Sequence, residues 1–414
     1  MALADVNLAG FVRKGLNIQL YKNSFFIITT RFLTVVTGFV FWLVAARLYS
    51  IENVGLATAL FSAATLILQF STFGLENSIM RFFGSHDKNK VINTSLIVTT
   101  VSAFIFGLVY IMIAGIVSPD LGFIQEPLYG TIFLFFVIIS SVVMVTGSAF
   151  VGLRKAEYAL SQNIVLMSRI VFLVPLFFLG AIGILSAIGI AYVLVCILVF
   201  YQMRKFVRFA WDVDYGFLQK YKSFFSGNYI SNMLYNATYS ITPILVLNIL
   251  GEVAAAKYYI AFTIGCFFFQ IPYSVGTSLL VEGSHGESLR KNAFRALGII
   301  YAILIPANIF IYFFGSSVLA LFGAQYVEST DLLRIIAFSS FFFAIYALMI
   351  PIQNVRMKVR SVLTLNVVLF VLFAGLSCIF LIYFGVVGVG YAMLTTYLIM
   401  ALIVLGIIKM EGWL

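Results

Sequence analysis

Charge is scarce in this chain. Only 10% of its 414 residues are Asp, Glu, Lys or Arg, while 63% are hydrophobic. A soluble domain keeps roughly a quarter of its residues charged to cover its surface. A folded domain bathed in water is therefore excluded, and no polar stretch is long enough to form one. Cysteine is also sparse. Cys196, Cys266 and Cys378 all fall inside apolar runs, so no disulfide is expected, and no metal-ligand spacing occurs. Enzyme signatures are missing as well: there is no Gly-rich phosphate loop, no HExxH and no nucleophile elbow. The only two histidines, His86 and His285, sit in basic loops and read as solvated residues.

What is abundant is apolar sequence in runs of membrane-crossing length. Mean hydropathy is +1.09, and a spanning helix needs about 20 mostly apolar residues. About twelve such runs can be drawn. The first six cover 24–46, 54–74, 91–117, 128–150, 159–179 and 184–203. The second six cover 224–250, 254–281, 294–314, 332–352, 362–383 and 386–408. The expectation is an all-α integral membrane protein. Residues 6–21 mix Leu8, Phe11, Val12, Leu16 and Leu20 with Arg13 and Lys14. That pattern suits a helix lying on the membrane surface rather than a cleaved signal peptide.

Most of the 25 Lys and Arg lie in one alternating set of loops. Examples are Lys88 and Lys90, Arg154 and Lys155, Arg204 and Lys205, Arg290 and Lys291, and Arg356 to Arg360. The other set carries Glu52, Asp120, Glu126, Glu252, Glu328 and Asp331. Basic loops stay in the cytoplasm, so both termini are expected there, in a multi-pass protein of the plasma membrane. The net charge of +10 then reflects topology, and no nucleic-acid partner is expected.

Three landmarks recur about 200 positions apart. Gly84-Ser85-His86 returns as Gly283-Ser284-His285. The stretch from Gly152 through Asn163 returns from Val355 through Asn366. The turn Gly180-Ala181-Ile182-Gly183 returns as Gly385-Val386-Val387-Gly388. The order implies two six-helix halves, 23–210 and 211–414, after an interfacial segment 1–22. Six is even, so both halves have the same orientation, and transporters often place substrate between such halves.

Ionisable residues inside spans carry the functional signal, because a charge at the bilayer centre costs about 2.5–3.5 kcal/mol on insertion scales. Arg31, Arg169 and Lys257 lie within spans one, five and eight, with no acid at comparable depth. A positive cavity suits an anionic substrate, and guanidinium offers paired donors to phosphate. Snorkelling to the interface is the competing reading for Arg31. Asn228, Asn232 and Asn236 share one face of span seven. They suit sugar hydroxyls and equally a bond to a neighbouring helix. Thr34 stands beside Arg31 in span one, and Glu76 and Arg81 are candidates for coupling or gating. Pro175, Pro243, Pro272 and Pro306 mark positions where spans can kink.

Several pieces of sequence resemble the polysaccharide (Wzx-type) flippases of the MATE-like MOP superfamily. They are the run from Ala46 through Arg47, Leu48, Tyr49, Ser50, Ile51, Glu52, Asn53 and Val54 to Gly55; Phe73-Gly74-Leu75-Glu76 leading to Arg81-Phe82; and Leu321-Phe322-Gly323-Ala324-Gln325-Tyr326. The resemblance implies a V-shaped pair of bundles that moves an undecaprenyl- or dolichyl-diphosphate-linked oligosaccharide outward by alternating access. It implies a monomer without cofactor, compatible with proton or sodium coupling, with a glycan polymerase as candidate partner. Related lipid II flippases place cations on spans one, two and eight; Arg31 and Lys257 are the counterparts here, and Arg169 is an additional or substitute cation. Span two has no deep cation, a departure from that pattern. The alternatives are a MATE-type multidrug or cation antiporter, which would want deep acids, and a membrane glycan polymerase or ligase.

Overall fold

The computed structural model describes residues 19–76, 79, 87–220, 222–284 and 289–410. The surface helix expected over 6–21 lies almost wholly outside these, as do Arg81 and both histidines. Arg31 and Asn228 are helix positions whose side chains are likewise outside the described residues.

In lipid every backbone polar group must be satisfied within the protein, and an apolar chain can do this locally only as helix. The main helices are α1 (Gln19–Leu48), α2 (Ile51–Thr72), α3 (Lys88–Val117), α4 (Pro127–Gly152), α5 (Ala156–Leu166) and α6 (Gly180–Met203). The second set is α7 (Lys222–Leu250), α8 (Glu252–Ser284), α9 (Leu289–Ala320), α10 (Thr330–Val355), α11 (Val359–Phe384) and α12 (Val387–Met410). Among the described residues ten helices are long and apolar enough to cross a membrane. The other two crossings are α1, whose apolar part is Phe32–Leu48, and the segment that begins with α5. The chain is a multi-pass, all-helical membrane protein. Its two ends are called basic and acidic here, after their loops.

The fifth crossing corrects the expectation of an unbroken span over 159–179. Helix α5 stops at Leu166, a four-residue helix covers Arg169–Phe172, and a 3-10 turn covers Phe177–Leu179. Around the break, amide groups reach three residues back rather than four: Met167 to Ile164, Ser168 to Val165, Ile170 to Met167 and Val171 to Ser168. Pro175 then lacks the N–H that would resume the α-ladder. Hydropathy registers only the apolar run, so this change of pitch is invisible to it.

The two halves pack by one scheme. In each, the first helix lies on the fifth, the second on the third, the third on the fourth, and the sixth on the fourth and fifth. The recurring landmarks have a physical basis. Gly180 and Gly385 both take positive φ, +56° and +61°. A Cβ at Gly183 would sit 2.2 Å from the Leu176 carbonyl oxygen, and one at Gly388 would sit 2.1 Å from that of Phe380. Only glycine fits either turn. Arg154 and Met357 likewise share the left-handed conformation, with φ of 57° and 58°. Each is followed by the same closing bond, Lys155 N–H to Phe150 O and Lys358 N–H to Gln353 O, both 2.9 Å. These are matching helix C-caps.

The connector between the halves is fastened to the first. Arg208 N–H donates to Asn89 Oδ1 (2.8 Å), Asn93 Nδ2 donates to Arg208 O (3.0 Å), and Asp214 N–H donates to Thr94 Oγ1 (2.9 Å). Phe217, in the short helix Tyr215–Lys220, is buried among Val91, Val199 and Met203 of the first half.

Candidate substrate cavity

Faces of spanning helices that look toward lipid should be apolar, and most here are. Exposed residues on α3 include Val101, Ile105, Leu108, Met112 and Ile116, and those on α9 include Ile299, Ile303, Ile309 and Phe313. Helix α8 differs. Over its basic half the exposed face carries Gln270, Ser274 and Thr277, flanked by Phe267 and Tyr273. These polar positions recur at i, i+4 and i+7, so they form one stripe. Helix α7 exposes Asn232 and Asn236, one turn apart. On α1, Thr34 is exposed and donates to Asn163 Oδ1 of α5 at 2.7 Å. Polar groups exposed at membrane depth need water, ligand or a partner, so these faces are the candidate walls of a substrate path toward the basic end.

Arg169 stands at the break in the fifth crossing. It is only 8% exposed. Its guanidinium carbon lies 5.0 Å from the centroid of the Phe41 ring. Tyr192 of α6 and Tyr259 of α8 are close enough to interact with it electrostatically. Among the described residues no carboxylate pairs with it, and its Nε is buried without a hydrogen-bond partner. A buried guanidinium without a counter-ion is the polar group that an entering anion would satisfy.

The other expected site residues are placed as follows. Lys257 stands apart, toward the acidic end of α8, where its Nζ is 2.5 Å from Glu328 Oε2. Glu76 follows α2 at the basic end, with Oε2 buried and unpartnered among the described residues. Of the expected site residues, Thr34, Asn232 and Asn236 are thus exposed on α1 and α7, while Arg169 is buried against α1. The structure adds Gln270, Ser274, Thr277 and Asn163, which sequence reasoning missed. The signal for the α8 stripe was its helical spacing.

The halves meet tightly at the acidic end. Arg47, at the end of α1, donates from Nε to Leu321 O (2.6 Å) and from Nη2 to Ala320 O (2.8 Å), capping α9. Asn248, near the end of α7, donates to Val117 O of α3 (2.7 Å) and accepts from Ser118 Oγ (2.5 Å). Helices one and three of one half correspond to seven and nine of the other, so these two latches are related by the repeat. Between them Gly55 of α2 meets α8 so closely that a Cβ would sit 1.9 Å from Glu252 O. The sequence pieces around Arg47 and Leu321 therefore touch one another, and Phe39 meets Phe322 at 5.1 Å.

The basic end is asymmetric. On one flank α2 and α7 are joined: Tyr229 OH lies 3.1 Å and 3.0 Å from the carbonyls of Gln69 and Phe70, and Gln69 Nε2 donates to Ser240 at 3.1 Å. On the opposite flank α1 touches α8 through Trp42 on Tyr259 (4.8 Å) and Phe39 on Phe267 (6.0 Å), both from the acidic half of α1. Nearer the basic end of α1, Phe32 is 66% exposed. The halves are thus bonded together at the acidic end, and the ring contacts between α1 and α8 come from the acidic half of α1.

No family model and no curated relative matches the sequence. Solved structures do match in fold. The MATE multidrug transporter DinF-BH aligns at a TM-score of 0.70 with 16% identity over 95% of both chains. The lipid II flippase MurJ in an inward closed conformation gives 0.69 and 13%, covering 93% of this chain and 87% of MurJ. An inward-facing MATE transporter of the MOP superfamily gives 0.68 and 15%, covering 92% and 95%. The chain shares the fold of these transporters. At such identities the likeness fixes architecture alone. In this chain the two six-helix bundles meet at the acidic end and along the α2–α7 flank, and substrate chemistry has to be read from its own side chains.

Proposed function

We propose that the protein is a flippase that carries a polyprenyl-diphosphate-linked oligosaccharide across the plasma membrane by alternating access, for cell-surface polysaccharide or glycan export. The observation that carries this reading is Arg169, a guanidinium buried against aromatic rings with no carboxylate partner among the described residues. The loop charges support a cytoplasmic basic end, the side on which lipid-linked sugars would be loaded. Arg169, with Arg31 below it on α1, receives the diphosphate. Thr34, Asn232 and Asn236 meet the sugars, and the polyprenyl tail stays in lipid along the α1–α8 flank. Release of the Arg47 and Asn248 latches then opens the acidic end, where Lys257 and Glu328 stand. Glu76 and Arg81 are the coupling or gate candidates at the basic end, where a proton or sodium gradient would act.

A reconstituted assay tests this directly. Proteoliposomes are loaded with a fluorescent polyprenyl-diphosphate oligosaccharide, and transfer between leaflets is followed by quenching. Wild type translocates, and Arg169→Ala loses most of the rate. Equal rates for the two would remove Arg169 from the site. The likeness to MATE transporters supports a second reading as an antiporter of organic cations. That reading wants a deep carboxylate, yet positions 32–46, 54–75, 229–250 and 258–279 contain no acidic residue. Drug efflux in a sensitive host, without lipid translocation, would favour it.

A further inference from the structure

The α7 and α8 walls of the cavity have a property that the flippase reading does not require. They are polar but carry no charge. Positions 229–250 and 258–279 contain no Asp, Glu, Lys or Arg, while Asn232, Asn236, Gln270, Ser274 and Thr277 are exposed there. Neither asparagine has a hydrogen-bond partner among the described residues, so both amides are free to bind ligand. Arg169 lies on the fifth crossing against Phe41 of α1 and near Tyr259, about three helical turns along α8 from Gln270. An ionised sugar held in a low-dielectric cavity needs a cation for each of its charges. Amides and hydroxyls instead match the hydroxyl and acetamido groups of uncharged sugars, donor to acceptor. The exposed rings of Phe267 and Tyr273 add flat apolar faces for the C–H sides of pyranoses.

We infer that the α7–α8 wall selects uncharged sugars, so that the substrate carries its negative charge in the diphosphate at Arg169 and not in the glycan. This rests on the flippase reading and adds a specificity to it. The residues that set it are Asn236, Gln270 and Ser274, which contact sugar and not phosphate.

The test measures binding to the full-length protein in nanodiscs with three synthetic probes of equal tail length. One is a polyprenyl diphosphate without sugar. The second bears a neutral N-acetylhexosamine–hexose disaccharide, and the third bears the same disaccharide with a hexuronic acid in place of the hexose. The neutral probe is expected to bind at least about tenfold more tightly than the uronate probe. The triple variant Asn236→Leu, Gln270→Leu, Ser274→Ala is expected to lose that preference while binding the sugar-free probe as wild type does. Binding of the sugar-free probe in that variant also reports that it has folded. Equal affinity for the two glycans in wild type, with the sugar-free probe still bound, overturns the inference and leaves the flippase reading standing. Failure of wild type to bind any of the three overturns both.

Discussion

Replacing Arg169 by leucine is expected to abolish anion binding while leaving the empty protein as stable as before, or more so. The argument weighs three terms. Holding a charge out of water carries an effective penalty of several kcal/mol. The Phe41 ring, 5.0 Å away, returns about 2 kcal/mol at a desolvated site. No carboxylate supplies the rest among the described residues, so the empty protein is strained by its own arginine. A bound diphosphate reverses the sign. A bidentate guanidinium–phosphate contact comprises two charge-assisted hydrogen bonds of about 1.5–3 kcal/mol each, which is at least a hundredfold in affinity. Thermal unfolding of the detergent-solubilised protein, with and without polyprenyl diphosphate, reads both effects together. Wild type should gain stability with ligand. Arg169→Leu should show an equal or higher midpoint without ligand and no gain with it. A midpoint that falls as far as for a core truncation, with the ligand-induced rise retained, would show that Arg169 is structural and refute the reasoning.

Three further outcomes follow from the interface and the repeat. Removing both acidic-end latches, as Arg47→Ala with Asn248→Ala, deletes two charge-assisted contacts and an amide cap, each set contributing on the order of 1–3 kcal/mol. Spin labels on the acidic ends of α1 and α9 should then report a population with that end open, and an unchanged distance distribution would count against the latch. Gly55→Val forces side-chain atoms into the space of Glu252 O, 1.9 Å from a Cβ, so cysteine labels at the acidic end should become accessible; unaltered labelling would contradict the close approach. Gly183→Ala and Gly388→Ala should each lower the unfolding midpoint by a similar amount, about 1–3 kcal/mol of overpacking. A large difference between them would mean that the two turns are not equivalent.

The fold was largely legible in the sequence because lipid imposes simple rules: apolar runs give the spans and loop charges give the alternation. The repeated Gly180–Gly183 and Gly385–Gly388 turns were legible for a steric reason, since a Cβ at Gly183 or Gly388 would collide with a carbonyl. The break at Arg169 was not legible, because a switch from four-residue to three-residue hydrogen bonds leaves hydropathy unchanged. Pairings between distant positions were hidden for another reason. Lys257 meets Glu328, 71 positions on, and Arg47 meets Leu321, 274 positions on; no local pattern encodes such contacts. The α8 stripe of Gln270, Ser274 and Thr277 lay in plain sight at helical spacing. Its polarity is mild enough that a hydropathy window averages it away.

The fastening of the connector to α3 has a mechanical consequence. A loose tether would spread any rotation between the bundles over many bonds. Here the chain from Arg208 to Phe217 is bonded and packed as part of the first bundle, so it moves with that bundle. A turn of one bundle against the other is therefore not spread along the residues from Arg208 to Phe217, which travel with the first bundle instead of acting as a loose linker.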